Sequence, residues 1–305
     1  MNLSTVDWFG FRSKGDIPEV IEGLRNAFSP DMPRLTSHRR KGGWNGFKSS
    51  ANLCLGDMVV GMMAYGGESQ LGNVFVNISG VGCAWMKSDW DEVQDAVDGL
   101  PDYELRRVDI ALDTFKREVT HDKVVQAYRD GLFTLSGRPP SMTRIEPEDP
   151  LDGATVYVGK RENAKFLRCY EKGYEMAKSF PRGFVTEFNG VPVEDIYRVE
   201  LELKAKDGPL PIDLIDKRDQ YFAGAYPYLQ TVIDVKPEVF VHSRYKAPQN
   251  DLAGMLANIR QQYGSTLFTA LMAYQGDIGA VWEKIVGHKH NADLLASGVL
   301  LVEHE

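Results

Sequence analysis

Residues 166–175 read FLRCYEKGYE, and the phenol of Tyr170 stands between two cations, Arg168 and Lys172. As a strand, the segment places Arg168, Tyr170 and Lys172 on one face and Leu167 and Cys169 on the other. A tyrosine hydroxyl among cations is suited to meeting and attacking a phosphate, once its pKa of ~10 is lowered locally. Two further segments carry acids at the same two-residue spacing. In RRVDIALD one face holds Arg107, Asp109, Ala111 and Asp113, and in YRVELELK it holds Arg198, Glu200, Glu202 and Lys204. If the three strands are neighbours, their polar faces merge into one surface of carboxylates, tyrosine and cations. Crowded carboxylates repel, and a hard divalent cation, Mg2+ or Mn2+, relieves the repulsion while keeping positions for phosphate oxygens. The competing reading is an exposed sheet face laced with cross-strand ion pairs.

These segments need a sheet to position them. TVDWFGFR alternates as a strand; DMVVGMMAYGG and NVFVNISGVG read as paired strands joined around GGESQLG. SDWDEVQDAVDGL reads as a helix capped by Ser88, with Trp90, Val93, Val97 and Leu100 on one stripe. HDKVVQAYRDGL reads as a second helix ending at Gly131, and residues 137–153 as a loop rich in proline and charge. Beyond residue 245 the texture changes to short helical blocks, each ended by glycine. The expectation is an α+β fold with a central antiparallel sheet and flanking helices over residues 1–245. A small helical module over 246–305 follows.

The composition sets limits. A chain of 305 residues with 43% hydrophobic residues buries a sizeable core. Cys54, Cys83 and Cys169 are scattered, without a C-x-x-C pair, which argues against a disulfide framework or zinc site and fits a reducing cytosol. The start, MNLSTVDWFGF, lacks the basic and apolar regions of a signal peptide, and no apolar run is long enough to span a bilayer. A net charge of −8 speaks against nucleic acid, but the charge is segregated. Residues 32–56 contain Arg34, Arg39, Arg40, Lys41 and Lys48 and no acid, whereas residues 88–104 hold seven acids (Asp89, Asp91, Glu92, Asp95, Asp98, Asp102 and Glu104) and no base. A basic loop carrying Trp44 and Phe47 can face phosphates and stack on a base; it is equally a plain solvated loop.

Three motifs carry less. Tyr174 follows Tyr170 by four residues and leaves the strand face if a helix starts near Gly173, so it reads as packing or a DNA contact. His288-Lys289-His290 lacks the apolar middle residue of a buried H-x-H metal pair and reads as exposed histidines at a helix end. SGVGCAW, Ser79–Trp85, lacks the third glycine of a dinucleotide loop and reads as a hairpin or bulge.

The succession VDWFGF, NISGVGCAWM, RVDIALD, TVYVGKRENAKFLRCYEKGYE and RVELELK resembles the replication initiation factor family. Its members start rolling-circle replication in filamentous phages and small bacterial plasmids. The resemblance spans about residues 5–205. It implies an enzyme that binds a double-stranded origin, nicks one strand, and stays joined to the 5′ phosphate through tyrosine. The freed 3′ hydroxyl primes synthesis, and the strand is later rejoined. Carried over residue by residue, Tyr170 is the nucleophile within R-x-Y-x-K, with Arg168 and Lys172 beside it. Asp109 and Glu200 are the foremost metal ligands, with Asp113 or Glu202 assisting, for Mg2+ or Mn2+. From the basic stretch rather than the resemblance, Arg39, Arg40, Lys41, Trp44, Phe47 and Lys48 are the expected DNA contacts. Double-stranded origin DNA and single-stranded DNA are the implied partners, in a bacterial cytoplasm and with no membrane. A host helicase and a homodimer remain open, as do phage or plasmid origin and the role of the tail. Two alternatives stand beside this reading, a metal-dependent hydrolytic nuclease and a non-catalytic origin-binding regulator.

Overall fold

The computed structural model describes residues 3–135, 137–206, 208–238 and 252–289. The chain divides into two compact units, Met1–His242 and Ser243–Glu305.

The first unit opens with strand β1 (Thr5–Ser13) and helix α1 (Ile17–Ala27). The Asp16 side chain starts α1 by accepting from the Glu19 N–H. Then come β2 (Leu35–Arg39), β3 (Ser49–Leu55), β4 (Met58–Tyr65), β5 (Val74–Ile78), α2 (Gly80–Cys83) and α3 (Trp90–Asp98). Next are β6 (Glu104–Thr114), α4 (His121–Arg129), β7 (Met142–Ile145), β8 (Thr155–Val158), β9 (Lys165–Tyr170) and α5 (Lys172–Ala177). A two-residue pair, β10 (Glu187–Phe188) and β11 (Val191–Pro192), precedes β12 (Tyr197–Lys204), α6 (Arg218–Ala225) and α7 (Pro227–Gln230). The second unit contains α8 (Leu252–Ala273) and α9 (Ile278–Ile285).

Ten strands form one sheet in the order β2-β3-β4-β5-β1-β6-β12-β9-β8-β7, and every pairing is antiparallel. This is the expected α+β class: a central antiparallel sheet with flanking helices and helices at the C-terminal end. One face is apolar. Phe9 and Phe11 of β1, Val108 and Ile110 of β6, Val199, Leu201 and Leu203 of β12, and Leu167 and Cys169 of β9 are fully buried or nearly so. They share one core with Val20 and Leu24 of α1, Val93 and Val97 of α3, and Val124 of α4. Full burial of a side chain such as Leu201 contributes about 1.5–3 kcal/mol. A one-residue slip of β12 would turn all three apolar residues outward, so the core fixes the register that the opposite face uses.

Several local expectations are corrected. Residues 32–56 are not one loop: β2 and β3 flank a shorter connection over residues 40–48, and Arg39 closes β2. The cap of α3 is Asp89 rather than Ser88, its carboxylate accepting from the Asp91 N–H. Gly80–Cys83 forms a short helix rather than a hairpin or bulge, because Gly82 packs against the Val60 carbonyl where a Cβ would lie 2.3 Å away. Met142–Ile145 pairs with β8 at the sheet edge instead of looping freely. Helix α8 runs through Gly264, which does not end it. The expected boundary near residue 246 lies outside the described residues.

Candidate active site

The three polar segments are neighbours. In β12, Arg198 pairs with Asp113, Glu200 with Ala111 and Glu202 with Asp109 of β6. On the other side Arg198 pairs with Tyr170 and Glu200 with Arg168 of β9. Cross-strand partners point to the same face. Asp109, Asp113, Arg198, Glu200, Glu202, Arg168 and Tyr170 therefore share the face opposite the core.

Three carboxylates there are removed from water: Asp109 and Glu200 are 1% exposed and Glu202 is 0% exposed. Each has a cation. Arg107 holds Asp109 through two hydrogen bonds, Nε to Oδ1 at 2.8 Å and Nη2 to Oδ2 at 2.6 Å, and reaches Glu202 Oε2 at 2.8 Å. Its guanidinium also lies 4.3 Å from the ring centre of Trp8. Lys204 Nζ stands 2.5 Å from Glu202 Oε1, and Arg161 Nε 3.6 Å from Oε2. Arg168 is hydrogen-bonded to Glu200 Oε1. Burial pushes the Asp109 carboxyl up to about 7; Arg107 pulls it down, and the charges of Glu202 and Glu200 add to the rise.

Asp113 is occupied differently. Arg198 grips it with Nε to Oδ1 at 2.6 Å and Nη2 to Oδ2 at 2.7 Å, and extends Nη1 to Asp7 Oδ1 at 3.0 Å. The register of β1 against β6 shifts between Val6 and Trp8, the irregularity that contains Asp7. Burial raises the Asp7 carboxyl, against the pull of Arg198.

Tyr170 is the last residue of β9, and its hydroxyl donates to Glu200 Oε2 at 3.3 Å. Its environment corrects the expectation of a phenol acidified by cations. Burial raises its pKa first and the Glu200 charge raises it further; the lowering comes from Arg198. Arg168 is engaged with Glu200 instead. Lys172 is likewise corrected: it is not on the strand face but begins α5, with its ammonium 2.6 Å from Glu175 Oε2 and 5.8 Å from the Tyr170 ring centre. The strand stops because Gly173 approaches the Val193 carbonyl so closely that a Cβ would sit 2.1 Å from it. Tyr174 therefore lies on α5, off the strand face, where it lines a cleft with Leu151, Phe180 and Val193.

The residues expected to contact DNA lie at the far half of the sheet. Arg39, Arg40, Lys41 and Lys48 are exposed. Trp44 and Phe47 are half-buried and pack on Phe75 of β5, with ring centres 5.6 Å and 6.2 Å away. His288 follows α9 and is exposed, and His290 lies outside the described residues. Cys54, Cys83 and Cys169 are free and buried. Among the described residues, no helix is long and apolar enough to cross a membrane.

Sequence reasoning left Asp7, Arg161 and Trp8 without a role. Asp7 was hidden by the irregularity in β1, which alternation alone does not reveal. Trp8 was visible in VDWFGF, but only pairing with Asp109 places it beside the acids.

Among the described residues, no three acids, histidines or cysteines are arranged to hold a metal ion. The chemistry of the donor set nonetheless fits a hard divalent cation. Asp109, Glu200 and Glu202 offer buried carboxylate oxygens on adjacent strands, and on Glu202 the Lys204 ammonium at Oε1 and the Arg107 guanidinium at Oε2 stand where positive charge is required. Of Asp113 and Glu202, Glu202 directly faces Asp109 and is fully buried, whereas the Asp113 side chain is 28% exposed.

An antiparallel sheet with one face of core and the other of buried acids, arginines and a tyrosine is the setting for comparison with known proteins. The model of the family described as replication initiation factor matches residues 103–273, more than half the chain and all of β6, β9 and β12. The chain belongs to that family. Among solved structures, it is similar to a rolling circle replication initiator protein from Geobacillus stearothermophilus. The two share 20% identity with a TM-score of 0.48, over 66% of this chain and 74% of the other. No curated protein matches the chain.

Proposed function

We propose that the protein is a metal-dependent, tyrosine-based DNA nickase and strand transferase that starts rolling-circle replication at a double-stranded origin. The observation that carries the reading is Tyr170 Oη 3.3 Å from Glu200 Oε2, on the face that holds Asp109 and Glu202. Asp109, Glu200 and Glu202 would hold Mg2+ or Mn2+, which would supply charge neutralisation at the scissile phosphate.

The chain's own groups do the rest. The Tyr170 oxygen attacks phosphorus as its proton passes to Glu200 Oε2. The bond from phosphorus to the 3′ oxygen breaks, the 3′ oxygen takes a proton from solvent water and leaves as a hydroxyl, and the 5′ phosphate remains as a tyrosyl ester. Arg168 and Arg198, both within the charge field of Tyr170, balance the negative charge that develops. Lys172, at the start of α5 and paired with Glu175, serves the DNA backbone on this reading rather than acidifying the phenol. The ester keeps the energy of the broken bond, so rejoining is the reverse step and needs no nucleotide. The second unit, with a boundary near residue 246, is a separate module, and the protein works in the bacterial cytoplasm on origin and single-stranded DNA.

The test uses supercoiled DNA carrying the cognate origin, with Mn2+, resolved on a denaturing gel. The natural chain traps DNA covalently; Tyr170→Phe abolishes the adduct and retains origin binding. Adducts that persist in the variant move the nucleophile elsewhere, and nicking without any adduct points to hydrolysis.

A further inference from the structure

The polar face of the sheet does not end at the acids. On the other side of β1 a cavity of about 160 Å³ opens between β4, β5 and the connection over residues 40–48. Its walls are Trp8, Trp44, Val59 and Met62, with Asn77 and Ser79 the polar side chains among them. Trp8 is the cross-strand partner of Asp109, so the cavity lies one strand from the carboxylates. Trp8 is also fixed in place: its Nε1 donates to Asn77 Oδ1 at 3.0 Å, and the Arg107 guanidinium that holds Asp109 lies 4.3 Å from its ring centre. Trp44 is held by Phe75.

The surroundings select the occupant. Arg40 Nη1 donates to the sulfur of Met62 in the cavity wall at 2.8 Å, and Arg39, Lys41 and Lys48 stand exposed on the same stretch of chain as Trp44; none of the four forms an ion pair within 4.0 Å among the described residues. A ligand with a flat apolar body and anionic flanks meets both the indole walls and these cations. An apolar peptide segment would leave the cations without partners.

We propose that this cavity binds one unstacked nucleobase of the strand being cut and so sets where the backbone crosses the acids. Arg107 couples the two places, since it touches Trp8 on one side and Asp109 and Glu202 on the other. The inference rests on the reading that this face handles DNA, but not on tyrosine being the nucleophile.

The experiment compares a dT12 oligonucleotide with an abasic 12-mer that has the same phosphates and no bases. The natural chain binds dT12 more tightly by about fivefold to about 150-fold, the equivalent of about 1–3 kcal/mol for one stacked base. Met62→Trp fills the cavity and brings the ratio towards one while affinity for the abasic oligonucleotide is kept. Val59→Trp does the same from the rim, where Val59 is 50% exposed, and serves if Met62→Trp does not fold. A dT12 containing 5-iodouracil, irradiated in the complex, crosslinks to peptides bearing Trp8 or Trp44. Equal affinity of the natural chain for both oligonucleotides, or crosslinks only to other aromatics, overturns the inference. If that occurs while Tyr170 adducts form on origin DNA, the cavity assignment alone falls. A high ratio and Trp8 or Trp44 crosslinks without adducts support the cavity and remove the nicking chemistry.

Discussion

Replacing Asp109 by asparagine changes how stability depends on pH, by an amount that the structure sets. Asp109 is 1% exposed, and its carboxyl is pushed from 3.8 up to about 7, chiefly by burial. A carboxyl whose folded pKa is raised binds its proton more tightly when folded. It therefore favours the folded state at low pH, and that preference is lost as pH rises from the unfolded pKa to the folded one. At pH 5 the group is protonated when folded and ionised when unfolded; by pH 8 it is ionised in both. The folded state thus loses roughly 2–3 kcal/mol between pH 5 and pH 8 through this one group. Asparagine does not titrate and keeps an oxygen for Arg107. Urea unfolding of both chains at the two pH values, with chelator present, isolates the effect, because the other groups are common to both. The natural chain should lose roughly 2–3 kcal/mol more than Asp109→Asn. Equal losses would mean that the Arg107 fork outweighs desolvation and that Asp109 is ionised throughout. Adding Mn2+ at pH 8 should then stabilise the natural chain and leave Asp109→Asn unmoved.

Arg198→Met leaves Asp7 and Asp113, side chains 29% and 28% exposed, facing each other without a cation. The expected loss is about 2–4 kcal/mol by urea unfolding, somewhat below a fully buried pair because solvent screens the acids. Adding Asp113→Asn to that variant should recover part of it. Gly173→Ala drives a methyl to 2.1 Å from the Val193 carbonyl oxygen, so it should destabilise by about 1–3 kcal/mol and lower the yield of Tyr170 adduct, since α5 follows Tyr170 directly. An unchanged unfolding midpoint would show that α5 shifts without cost. Tyr170→Phe, which removes the one hydroxyl bonded to Glu200 Oε2, should abolish the covalent adduct on the denaturing gel.

The site was legible where period two applied. Alternation in residues 107–113 and 198–204 sorted Asp109, Glu200 and Glu202 from Val108, Leu201 and Leu203, and the structure places those acids on one face and the apolar residues in the core. It failed at Lys172, because the strand is stopped by a contact with Val193 twenty residues later in the chain, which no local pattern contains. It failed also for the Tyr170 phenol. The sequence displays cations next to the tyrosine, but only the register shows that Glu200 stands closest and claims Arg168. Among the strands that were missed, β2 and β7 lie at sheet edges, with short and mostly exposed segments that lack an apolar alternation, while β3 is buried on both faces and shows no alternation either.

The place of β1 in the sheet has a consequence for how the protein is made. Residues 5–13 are synthesised before either of their partners, β5 on one side and β6, ending at Thr114, on the other. Phe9 and Phe11 wait for β5 until Ile78 has been made and for β6 until about a hundred residues have followed, at roughly 5–20 residues per second. Once docked, this strand is the seam of the molecule. It alone joins the four strands β2–β5, which carry the aromatic cavity, to the five strands that carry the acids and Tyr170. Clipping it would leave two half-sheets with raw edges, each holding one part of the face and neither able to present both to the same strand of DNA.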